Sequence, residues 1–142
     1  MPASTQNSPR PQSIAQITYL VREYDEAIAF FTQKLGFSLA QDADLGGGKR
    51  WVVVHPPNFE RTALLLARAA TPEQTACVGN RSGGRVFLFL HTNNFRRDHS
   101  AMLANGIGFL ESPRTEPYGT VAVFEDLYGN KWDLLEPSLN NE

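Results

Sequence analysis

The chain has 142 residues, 42% of them hydrophobic, with nine Phe, four Tyr and two Trp, enough for one domain with a sizeable core. A net charge of −2 excludes an electrostatically driven hold on nucleic acid or an anionic membrane, and no stretch approaches the roughly 20 apolar residues that span a bilayer. The single cysteine, Cys77, excludes an internal disulfide framework and a Cys-rich zinc site.

Residues 1–13, MPASTQNSPRPQS, have no apolar region of a secretory signal, and their Pro, Ser and Gln content predicts a flexible tail. A cytoplasmic location is the default expectation. IAQITYLV (14–21) is β-rich and partly alternating, and YDEAIAFFTQKLGF follows with Ala27, Phe30, Phe31 and Leu35 on one helical face. Asp25 and Glu26 suit the first turn of that helix, and Gly36 supplies its stop. FSLAQD (37–42), RWVVVHPP and TALLLARA (62–69) read as three strands, with LGGGK as a turn. The GGG at 46–48 is no phosphate loop, because the required Gly, Lys and Ser/Thr spacing does not follow it.

After a polar linker at 69–83 the order returns. RVFLFLH is a strand and NFRRDHSAMLANG a helix, capped by Asn93 or Asn94, with Phe95, Met102 and Leu103 on its buried face. IGFLESP, YGTVAVFED and NKWDLLEP complete three more strands, the last two joined by a turn at Leu127-Tyr128-Gly129-Asn130. Each half is strand, helix, strand, strand, strand, and "KLGFSL" is echoed by "NGIGFL" about 70 residues on. One α+β domain over 14–137 follows, built of two pseudo-symmetric βαβββ modules, 14–69 and 84–137.

The segments ITYLVREYDEAIAFFTQKLGF and PYGTVAVFEDLYGNKWDLLEP resemble the vicinal oxygen chelate superfamily: glyoxalase I, extradiol dioxygenases, fosfomycin-modifying enzymes and bleomycin-resistance proteins. The resemblance covers about residues 14–137 and implies a sheet-lined cleft with helices on the outer faces. It also implies a homodimer, and in metal-binding members one ligand from each of four strands. Those positions fall here on Gln16, Leu65 (Leu66 is no better), Arg85 and Asp133. Leucine has no ligand atom, and a guanidinium has donors but no acceptor. Two remaining ligands do not make a divalent site, so no cofactor is expected.

Arg85 admits three readings. Residues 85, 87, 89 and 91 share one strand face, so Arg85 can point into the cleft and pair with Asp133 as a buried ion pair. It can instead receive a ligand carboxylate or phosphate, or it can be a solvated strand-end cation. The first is the expectation carried forward. Gln16 and Asp133 are the other polar candidates for ligand binding, His91 is a candidate near neutrality, and Trp51, Phe87 and Tyr118 are candidate aromatic walls. His55 reads as a loop residue and His99 as a solvated helix residue, while Cys77 has no neighbouring group to activate it.

The function these residues predict is binding of a small organic molecule in the cleft without the usual catalytic metal. The alternative is a lyase, isomerase or dioxygenase holding a divalent metal through a rearranged set such as Gln16, Asp133 and His91. A third reading, an interaction module, would show a cleft under about 300 Å³.

Overall fold

The predicted order of elements is realised in both halves of the computed structural model, which describes residues 11–58 and 61–139. β1 (Gln16–Val21) leads into α1 (Tyr24–Ala29), which widens into a π-type turn over Phe30–Lys34. β2 (Ser38–Gly46), β3 (Lys49–His55) and β4 (Ala63–Arg68) complete the first module. The linker holds a short helix, α2 (Pro72–Cys77), that the polar composition concealed. Its start is nonetheless written locally: Thr71 caps it by accepting the Gln74 amide, and Pro72 occupies the first turn. The second module is β5 (Val86–His91), α3 (Phe95–Ala104), β6 (Gly108–Phe109), β7 (Arg114–Glu116), β8 (Gly119–Glu125) and β9 (Lys131–Pro137).

The first sheet has the order β1-β4-β3-β2 and the second β5-β9-β8-β6, with β7 also paired to β8. β1 lies parallel to β4 and β5 parallel to β9, so the modules repeat in pairing as well as in order. Where one strand was predicted over IGFLESP, the second sheet has two short pieces, β6 and β7, interrupted around Pro113. Of the expected tail, residues 1–10 lie outside the described residues, and 11–13 are exposed without regular structure.

Strand alternation decides which residues are buried. Tyr19 and Val21 of β1, Val52 and Val54 of β3 and Leu64 and Leu66 of β4 enter one apolar cluster. Ala122 and Phe124 of β8 and Trp132 and Leu134 of β9 enter the same cluster from the second module. α1 adds Tyr24 and Ala27, its π-type turn adds Phe30 and Phe31, and α3 adds Phe95 and Met102. The rings of Phe31 and Phe37 lie 6.1 Å from that of Trp132, so the two modules share a single core. Leu103, expected on the buried face of α3, is half exposed. It neighbours Met102 in sequence, and the cluster reaches only as far round the helix as that side chain.

Polar groups sit inside the seam around Asp126 and Asn130. Asp126, 6% exposed, accepts hydrogen bonds from the Tyr19 hydroxyl (2.7 Å), the Trp132 indole (2.9 Å), and the Tyr128 and Asn130 amides (3.0 Å each). A buried carboxylate is tolerated when its lone pairs are filled in this way. The Tyr19 contact ties the first strand of one module to the β8–β9 turn of the other. No described helix is long and apolar enough to cross a membrane.

Candidate functional site

With alternate residues committed to the core, the opposite face of each sheet is only partly open, its exposed residues standing beside buried ones such as Val53 and Val121. On the first sheet it carries Gln16 and Thr18 of β1, Trp51 and Val53 of β3, and Leu65 of β4, which stands opposite Thr18. On the second it carries Phe89 and His91 of β5, Asp133 and Leu135 of β9, Val121 and Val123 of β8, and Arg114 and Glu116 of β7. Phe89 is 62% exposed, Tyr118 43% and Trp51 37%, unusual values for aromatic side chains in or beside sheets.

Asp133 lies where expected, between the core residues Trp132 and Leu134 and on the open side, opposite Phe89 and Val123. It is 8% exposed, and its Oδ1 is buried without a hydrogen-bond partner. Burial raises its pKa above the usual carboxylate range, the Arg114 charge opposes the rise, and Glu111 adds to it.

Arg85 does not meet Asp133, and the expected buried pair is not formed. It is exposed in the turn before β5, where its amide donates to the Ser82 carbonyl and its own carbonyl accepts from the Ser82 hydroxyl. Among the described residues it makes no ion pair. The physical reason is a break in the β5–β9 register between Val86 and Leu88. Such a bulge inserts one residue and shifts the alternation on its far side, so faces counted from 85 do not continue to 89 and 91. Phe87 is diverted likewise: it packs on the core and stacks on Tyr19 at 6.5 Å instead of lining the open face.

The cation beside Asp133 is Arg114, which the sequence reading passed over. Its Nε donates to both Glu111 oxygens (3.0 and 3.1 Å), and its Nη1 donates to Glu116 (2.7 Å) and the Tyr118 hydroxyl (3.3 Å). These contacts raise its pKa, Glu111 contributing most. Glu111 also accepts the Val123 amide (2.9 Å), filling a ladder position that opens where β6 and β7 are interrupted. The signal was present: in ESPRTEPYG, Arg114, Glu116 and Tyr118 recur every second residue, as one face of a strand does.

The donors present do not suit a divalent metal. Leu65 offers none and Arg85 is a cation displaced into a turn, which leaves only Gln16 and Asp133 of the four positions. His91 shares the face of Asp133 but is paired with Leu135 at the exposed end of β5. Among the described residues no three His, Cys, Asp or Glu side chains are grouped as a metal requires. His55 ends β3 half-buried, and His99 is packed between Phe95 and Phe109 (5.2 and 4.5 Å between rings) instead of solvated.

The family model described as Glyoxalase/Bleomycin resistance protein/Dioxygenase superfamily matches residues 13–134. The chain belongs to that superfamily. Within reach of the superfamily, an uncharacterized protein of Shewanella frigidimarina (strain NCIMB 400) is 55% identical over 126 residues, spanning 88% of this chain and 93% of that protein. The solved structure of UcmS2 superposes with a TM-score of 0.77 at 28% identity, covering 89% of this chain and 99% of that one. TnmS3, an antibiotic binding protein from Streptomyces sp. CB03234, gives 0.75 at 26% identity, covering 92% and 100%.

Proposed function

We propose that this superfamily member binds a small organic molecule on the open face of its second sheet and holds it without a catalytic metal. The observation that carries the reading is the combination on one face of an unpartnered, nine-tenths buried Asp133 with an exposed Phe89. A polar group that fixes orientation beside an apolar wall is the usual make-up of a ligand site. The likeness to an antibiotic binding protein supports the same reading, and the donor set argues against the metal-dependent lyase, isomerase or dioxygenase alternative.

The site needs a second copy of the chain to close it. Within one chain, grooves of about 350 and 380 Å³ lie elsewhere, beside Asp42, Asp44 and Arg50 and beside Phe95 and His99. Neither includes Gln16, Asp133 or Phe89. A homodimer that brings the open face of one chain against that of its partner would enclose a cavity. A cytoplasmic location fits the one exposed cysteine.

Two measurements test the reading. A thermal-shift screen against drug-sized aromatic natural products should return compounds that raise Tm, since a ligand at about 100 times its Kd adds roughly 2.7 kcal/mol. Protein incubated with zinc, nickel, manganese or iron(II) and then desalted should retain well under one equivalent of each. Stoichiometric metal with no ligand found in the screen would replace binding by the enzyme alternative.

A further inference from the structure

The charges on the second sheet's open face are unevenly satisfied, and that unevenness selects among ligands. Arg114 invites an anion, but Glu111 and Glu116 already occupy its Nε and Nη1. Lys131 and Glu125 stand opposite each other in the β8–β9 register. Asp133 alone has a buried oxygen without a donor. The titratable side chains of the face are thus Asp133 and Lys131 from β9, Glu125 from β8, Arg114 and Glu116 from β7, Glu111 from the preceding bend and His91 from β5.

We infer that this face takes a small molecule carrying a protonated nitrogen on a flat apolar body, with the ammonium on the Asp133 carboxylate and the body against Phe89. The inference rests on the small-molecule reading above and names the chemical class it admits. An ammonium at the small exposed part of the Asp133 carboxylate supplies a charge-assisted hydrogen bond, roughly twice as strong as a neutral one, where the chain itself supplies no donor. A hydroxyl supplies a weaker donor. A carboxylate supplies none and meets Asp133, Glu111 and Glu116 as like charges.

Three matched probes decide it: naphthylmethylammonium, naphthylmethanol and naphthoate, titrated against the full chain by NMR chemical shift. The ammonium should bind about tenfold tighter than the alcohol, with naphthoate weakest. Asp133→Asn should abolish the ammonium's advantage, bringing the ammonium and the alcohol to within about twofold of each other. Naphthoate binding as tightly as the ammonium would overturn the inference while leaving the binding function standing. So would an ammonium preference that survives Asp133→Asn. If none of the three binds, the small-molecule reading falls and the inference with it. Should Asp133→Asn not fold, the ranking on the unaltered protein decides alone.

Discussion

Asp133 is a residue whose placement serves something other than the stability of the single chain. Its ionised form is desolvated with one oxygen unpaired, so its pKa is raised in the folded state, by burial first. A raised carboxylate contributes stability that is full below the unfolded value of about 3.9 and is lost as pH rises through the folded value. Asp133→Asn should therefore raise the urea midpoint at pH 7, with the gain vanishing toward pH 4. A neutral-pH loss would mean that the carboxylate has a partner within the chain. Arg85→Met, in contrast, should change stability by no more than about 0.5 kcal/mol, as exposed substitutions do. Its effect should simply add to that of Asp133→Leu. Coupling between the two beyond that size would restore the buried pair. Alternation between Trp132 and Leu134 put Asp133 on the face away from the core, and only the family pattern made that face the candidate cleft. Arg85 was misplaced because nothing in GGRVFLFLH announces an extra residue at Phe87.

At the scale of elements, the sequence revealed strands and helices wherever periodicity was long, and obscured them where ladders break. α1, α3, β3, β8 and β9 each have enough alternating or helical positions to declare their buried face. The 110–116 stretch does not: a strand split around Pro113 leaves two- and three-residue pieces with no period to read, although it holds the Arg114 cluster. Gly119 marks the return from that stretch. Its φ is +151°, and a Cβ there would come within 2.2 Å of the Glu136 carbonyl oxygen, where β8 starts against the end of β9. Gly119→Ala should consequently cost at least about 2 kcal/mol, because backbone atoms on both sides must move. A change within 0.5 kcal/mol in a denaturant melt would show that the strand ends separate freely. Close backbone approach is a tertiary fact, so Gly119 was visible in the sequence after Tyr118 while its reason was not.

For the whole molecule, the seam between modules sets the response to alkali. Burial, followed by the Asp126 charge, raises the Tyr19 pKa, and burial with a hydrogen bond to Glu26 pushes Tyr128 up to about 12. Both phenols must stay neutral for the fold, so their contribution is intact below about pH 10, the unfolded value, and is lost above it. The urea midpoint should fall steadily from about pH 10 to 12, and Tyr128→Phe should reduce that slope. An unchanged slope would place the alkaline sensitivity elsewhere. Assembly is the second property at this scale: light scattering at micromolar concentration should return about 32 kDa, twice the 15.8 kDa chain, since two-fold pairs are the commonest oligomers. A monomer mass would leave the open faces without their proposed cover.

The Tyr19–Asp126 contact has a counterpart position that lacks it. Matching the core residues of the two sheets puts Leu90 where Tyr19 stands and Pro56 where Asp126 stands, both unable to make that hydrogen bond. A chain made of near-duplicate halves risks assembling like with like, first half on first half of a neighbouring molecule. Here a first half has the phenol without the carboxylate, and a second half has the carboxylate without the phenol. Mispaired assemblies would bury one or the other unmatched, at about 1–3 kcal/mol for each group left without its partner. The duplication therefore carries a polar mark of its own: the Tyr19–Asp126 contact, together with the Tyr128–Glu26 bond, is made only when a first half meets a second half.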